Sequence, residues 1–276
     1  MAAEPKNQLG AYLRDRRTRL DPVAFGFPIG RRRTTGLRRE EVAQRANISP
    51  TWYTWLEQGR GGAPSADVLD RIAKGLMLTA PEREHLFMLA LGRPPEARYK
   101  PVDGVTPRLQ RVLDALEISP SLIKTATWDV IAWNRAAAAV FNDYSKLPRE
   151  QRNILRLMFG NPRVRELQQD WESVARSVVA AFRMDVARAG AAGEVSQMIE
   201  ELRASSAEFD RLWRDQDVIA HGEGTKRLRH PKAGLIELEF SSFAVEGRPE
   251  LGMIVYNPAS RKDADRIRKL IEAKSV

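Results

Sequence analysis

Four arginines, two threonines and two tryptophans are gathered in GLRREEVAQRANISPTWYTWLEQGR, residues 36 to 60. Guanidinium groups fork onto phosphate oxygens, threonines present a hydroxyl and a methyl sized for base edges, and tryptophan adds a flat apolar face. The chemistry this predicts is recognition of a polyanion, not bond making. The rest of the chain offers little for catalysis. It has no cysteine, which removes disulfides, thiol nucleophiles and thiolate metal sites, and its histidines are His85, His221 and His230 alone. HGEG at 221 to 224 and GRGG at 59 to 62 lack metal-ligand spacing and a phosphate-loop lysine. No nucleophile, base and orienter stand together, so no enzyme, metal or cofactor is expected.

Charge agrees with a polyanion partner. Of the net +9, residues 1 to 60 carry 12 Lys or Arg against 6 Asp or Glu, while residues 61 to 99 balance at 5 against 5. A local basic excess favours nucleic acid or an acidic membrane surface. No run approaches the roughly 18 apolar residues of a membrane span. MAAEPKNQLG lacks the apolar heart of a signal peptide, so a cytoplasmic protein without membrane partners is expected. With 276 residues, two domains are the better expectation.

Short helices must position the basic segment. Leu9, Tyr12 and Leu13 stripe a first helix, and the Gly- and Pro-rich DPVAFGFPIGRRRTTG reads as a loop. Glu40 and Glu41 suit the positive end of a second helix with Val42, Ala43 and Ala46 buried, and Asn47 can end it in a left-handed turn. Ser49 then Pro50 start a third, stopped by Gly59. Ser65 caps a fourth, and Thr79 with Glu82 forms a capping box for a fifth, running to about Leu91. Five short helices make a small all-α domain, assigned to residues 1–93.

A 100-degree step along the third helix puts Trp52, Tyr53 and Leu56 on one side and Thr51, Thr54, Trp55 and Gln58 on the other. Trp52 is therefore expected in the core and Trp55 on the reading face. Thr51, Thr54 and Trp55, with Gln58 beside them, are the candidate base readers. Arg38, Arg39 and Arg60 are candidate phosphate contacts. Arg31, Arg32 and Arg33 either join them or are solvated surface. Glu57 is expected to pair with Arg14 or Arg17.

On these residues GLRREEVAQRANISPTWYTWLEQGR is similar to the helix-turn-helix of XRE-type repressors, with a lambda-repressor-like fold, and RRRTTGLRREEVA with TWYTWLEQGR resembles the MmyB-like branch. The likeness spans about residues 8 to 62 and implies insertion of the third helix into the major groove of double-stranded DNA. Arg38 stands where such proteins often have a capping Ser or Thr, and Asn47 where they often have Gly. The loop between the first two helices is longer than in compact repressors.

GRPPEARYKPVDGV has linker composition, and residues 94–105 are assigned to it. From residue 106 the pattern is mixed. Thr106 and Pro107 announce a helix, KTATWDVIAWN reads as a hairpin turning at Asp129, and amphipathic helices dominate from about Arg149 to Asp215. Then KRLRH, the turn PKAG and LIELEF alternate with period two, LGMIVYN is another strand, and a polar helix follows from about Ser260. Residues 106–276 thus form an α+β domain with an antiparallel sheet split around inserted helices.

TWDVIAWNRAAAAVF resembles the opening of a PAS-type domain, and RNILRLMFGNP, DWESVAR and GTKRLRHP extend the likeness to MmyB-like regulators. The resemblance implies a PAS-like ligand-binding domain and suggests a fatty acid as its ligand. An apolar slot needs a cation or amide for the carboxylate. Trp128, Asn134, Arg152, Asn153, Trp171 and His230 are the candidates, although tryptophans at such spacing are commonly core. The expected function is a ligand-responsive, DNA-binding transcription regulator acting as a homodimer. The rival from another class is a sensor that works through protein contacts.

Overall fold

The computed structural model describes residues 7–28, 35–95, 102, 104–219 and 222–274. The chain divides into two compact units, Met1–Glu96 and Ala97–Val276. Among the described residues no helix is long and apolar enough to cross a membrane.

The first unit is helical: α1 (Gln8–Thr18), α2 (Arg39–Ala46), α3 (Pro50–Glu57), α4 (Ala66–Gly75) and α5 (Ala80–Leu91), with a single 3-10 turn at Val23–Phe25. Local signals fix the ends. The Asn7 side chain accepts from Gly10 N–H, Ser49 from Trp52 N–H and Ser65 from Val68 N–H, while Glu82 closes on Thr79. Asn47 adopts φ +51°, the left-handed turn expected between α2 and α3. Arg38 occupies the N-cap of α2 without a hydroxyl; instead the Glu41 carboxylate accepts its backbone N–H at 2.6 Å. Leu13, Leu37, Val42, Tyr53, Leu69, Ile72, Leu86 and Phe87 form the core.

One carboxylate ties three of these helices. Glu57, whose side chain is wholly buried at the end of α3, meets Arg17 of α1 through two hydrogen bonds of 3.0 and 2.9 Å, Arg14 at 3.3 Å and Arg39 of α2 at 3.1 Å. Arg17 also donates to Leu37 C=O at 2.6 Å. The pairing with Arg14 and Arg17 is the one expected from sequence; Arg39 joins it. Such close approach of α1 to α3 requires Gly10, where a Cβ would lie 2.1 Å from Glu57 C=O.

The second unit opens with α6 (Pro107–Asp114), then β1 (Ser121–Thr125), β2 (Val130–Trp133) and α7 (Arg135–Val140). Five helices follow: α8 (Ile154–Gly160), α9 (Pro162–Leu167), α10 (Trp171–Ala189), α11 (Ala192–Ser205) and α12 (Ala207–Arg214). The chain then returns to the sheet as β3 (Glu223–His230), β4 (Gly234–Val245) and β5 (Arg248–Pro258) and ends in α13 (Arg261–Lys274). The order β2-β1-β5-β4-β3 is antiparallel throughout, so early and late strands meet through β1 and β5.

Alternation gives the sheet two faces. Leu122, Leu228, Ile236, Leu238, Ile254 and Tyr256 lie on one, covered by Ala136, Val140, Leu157, Val164, Ile267 and Leu270. Ile123 and Leu251 lie on the other, beside Leu113 of α6. A separate core joins the inserted helices, with Trp128, Phe182, Phe209 and Leu212 at its centre.

Burial alone would raise the Glu57 carboxyl, but the hydrogen bonds and charge of Arg17, then Arg39, hold it below its ordinary value of 4.5. A depressed carboxyl stabilises the fold above its unfolded value and loses that contribution as pH falls through the folded one. Glu57→Gln leaves Arg17 buried without a counter-charge and should cost about 3 kcal/mol at neutral pH. Native-state hydrogen exchange at α1 and α3 amides will read this, and the loss should shrink once pH is low enough to protonate Glu57 in the parent.

Candidate functional site

The outer side of α3 carries the residues assigned to base reading. Thr51, Trp55 and Gln58 are exposed, as is Arg60 just beyond the helix, and Trp55 keeps 49% of its surface in contact with water. Trp52 is half-buried and packs on the core, so the two tryptophans divide between faces as the helical wheel implied. Thr54 is half-buried and donates its hydroxyl proton to Pro50 C=O at 2.8 Å, which leaves its methyl group and one lone pair for a partner.

The basic side chains fall into distinct settings. Arg38 lies at the start of α2, 3.9 Å from Glu40, and remains partly exposed. Arg39, assigned to phosphate from sequence, is held by Glu57, although 37% of its side chain still reaches solvent. This pairing joins residues 18 apart in sequence, beyond the reach of helical spacing. Arg31, Arg32 and Arg33 lie outside the described residues.

The six residues assigned to ligand contact do not converge. Asn134 is buried as the N-cap of α7: its oxygen accepts from Ser121 and Ala137 N–H, and its amide donates to Leu113, Leu116 and Ser119 C=O. Asn153 caps α8 in the same way, accepting from Leu155 and Arg156 N–H and donating to Thr127 C=O and the Asp129 carboxylate. Both amides are occupied by the fold. Arg152 donates to Leu147 C=O and lies 5.4 Å from the Trp133 ring centre. His230 ends β3 and accepts from Lys232 N–H, and burial lowers its imidazole below the ordinary range.

Trp128 and Trp171 do share a neighbourhood. Trp128 meets Phe182 edge-on, Phe182 adjoins Trp213, Trp213 stacks on Phe209, and Phe159 links Phe209 to Trp171, with ring centres 5.0 to 6.2 Å apart. This aromatic chain forms the apolar heart of the inserted helices. Beside it Asp185 of α10 accepts from Lys124 Nζ at 2.6 Å and from Trp128 Nε1 at 2.8 Å. Burial pushes the Lys124 ammonium down, and Asp185 opposes the shift.

Two inward lysines, Lys124 and Lys226, were not among the sequence candidates. Their signal was present, since each takes an inward position in a period-two strand where its neighbours two residues away are apolar. A shallow groove of about 550 Å³ runs beside Asn134, but Asp114, Glu117, Arg135, Arg268 and Glu272 line it with mixed charge that suits water better than an acyl chain.

Because Asn134 answers five backbone groups from α6, β1 and α7, Asn134→Ala should cost about 3 kcal/mol, well above the ~1 kcal/mol of an ordinary N-cap. Urea unfolding of the full chain, followed by circular dichroism, checks it; a loss below about 0.5 kcal/mol would return Asn134 to the ligand candidates.

Comparison with known families places both units. A helix-turn-helix domain model matches residues 8–86, and a model described as the MmyB-like transcription regulator ligand binding domain matches residues 105–270. No curated protein matches the chain. The second match alone covers over half of the sequence, and the chain belongs to the family of MmyB-like transcription regulators.

Proposed function

We propose that the protein is a sequence-specific DNA-binding transcription regulator whose affinity for DNA is set by a small apolar ligand, of the fatty-acid class, held in the PAS-like C-terminal domain. The observation that carries the DNA half is Trp55, a large aromatic left half in water on a helix whose opposite side is fully packed. Thr51 and Gln58 extend the same exposed strip. Short side chains and one aromatic on a second helix after a tight turn suit a major groove, while Arg38 and Arg60 supply phosphate contacts.

A homodimer follows from the size of the reader. One eight-residue helix meets few bases, whereas two related by a two-fold axis read half-sites about 34 Å apart. The ligand half is supported by the aromatic chain among the inserted helices and by apolar side chains on the covered sheet face. The ligand acts on DNA through its unequal affinity for two states, an effect typically worth about 1 to 3 kcal/mol.

DNA from the protein's own promoter region, titrated at several salt concentrations, should bind with a log–log slope of roughly −5 or steeper, since each neutralised phosphate contributes about −0.9. Trp55→Ala should reduce preference over random DNA by about 5- to 150-fold while shifting stability by no more than about 0.5 kcal/mol. Equal binding to both DNAs by the parent protein would favour a sensor acting through protein contacts. Native mass spectrometry of the purified protein should reveal a bound lipid.

A further inference from the structure

The sheet face covered by helices holds two lysines in unlike circumstances. Lys124 of β1 lies opposite Gly252, where an added Cβ would sit 3.9 Å from its Nζ, and Asp185 neutralises it at 2.6 Å. Lys226 of β3 lies opposite Leu238, on the same side as Leu228 and Ile236. Its neighbours Arg227 and Arg229 point to the other side and are exposed, with Arg227 paired to Glu237. Among the described residues Lys226 makes no hydrogen bond and no ion pair, and burial pushes its ammonium down to about 8. A buried charge without a partner is costly, so its retention at an inward position asks for a function.

The surroundings define what could answer that charge. Gln168, just past α9, bridges to Leu228 on the outer edge of β3 and is thereby a diagonal neighbour of Lys226; its Oε1 is buried with no donor. Farther along the same face Ser242 Oγ is also buried without a partner. Between them the floor is aromatic. The Phe240 ring lies over Gly224, where a Cβ would approach it to 2.8 Å, and its centre is 5.8 Å from Tyr256, which in turn meets Phe141 at 4.9 Å. An unanswered cation at one end of an apolar aromatic floor has the polarity of an amphiphile reversed: positive where the head is negative, apolar where the tail runs.

We infer that Lys226 anchors the carboxylate of an acyl ligand whose chain lies over Phe240 and Tyr256. The inference rests on the ligand reading of this domain given above and names the group that selects an acid over a neutral lipid. Gln168 lies at the head-group end, and Lys124, already neutralised, takes no part. None of the six ligand candidates from the sequence is the anchor.

The test uses the full chain freed of bound lipid, titrated with dodecanoic acid and with methyl dodecanoate, which has the same acyl chain without the charge. The parent should bind the acid at least about tenfold more tightly than the ester. Lys226→Met should remove that preference by weakening the acid alone, and Lys226→Arg should keep it. Removing an unpaired buried charge should leave the melting temperature of Lys226→Met equal to or above the parent's. Lys226→Gln, read the same way, separates charge from side-chain shape. If the acid is still preferred after both neutral substitutions, the anchor is elsewhere and the ligand reading stands. If the parent binds neither lipid, the fatty-acid reading itself fails, and this assignment with it.

Discussion

Glu57 is sealed from water, so its charge survives only because three guanidinium groups replace the solvent it lost. That constraint determines the relative placement of α1, α2 and α3. Two bonds from Arg17 fix α1 against the end of α3, Arg39 draws in the start of α2, and Gly10 permits the backbone contact. With those helices clamped, the outer side of α3 is free of structural duty. A rigid reader is the result, with Trp55, Thr51 and Gln58 displayed on a helix whose inner side cannot shift without exposing a charge.

The second unit obeys the same demand with neutral groups. Asn134 satisfies backbone groups from α6, β1 and α7, and Asn153 secures the turn of the first hairpin to the start of α8. Asp185 then joins that hairpin to α10 through Lys124 and Trp128. Against so complete a set of pairings, Lys226 stands out. Its neighbours provide apolar surface and no counter-charge, which is the arrangement that an anionic amphiphile completes.

Much of this was legible in short stretches. Ser49 with Pro50, Asn47, Thr79 with Glu82, and the alternation in LIELEF each state a local rule, and each element appears where its rule puts it. The division between Trp52 and Trp55 followed from helical geometry alone. What escaped depends on partners distant in sequence. Asn134 looked available for a ligand until Leu113 and Ser119 came within reach of its amide, and Arg39 looked free for phosphate until Glu57 was beside it. Lys226 was visible as an inward-pointing lysine, but its lack of a partner is a property of the assembled face. Arginine-rich loops and linkers carry no such rule, and spacing says little about them.

The account joins a fixed DNA reader to a domain that senses an acyl acid, and its central claim is that the two sites share free energy. Thermodynamic linkage demands that any factor by which dodecanoic acid changes affinity for promoter DNA equal the factor by which DNA changes affinity for the acid. The most direct measurement is therefore the full cycle: DNA affinity with and without saturating acid, and acid affinity with and without saturating DNA, at one salt concentration. The account predicts matching factors of about 5 to 150 in the two directions. Binding of each partner that is unaffected by the other would contradict it.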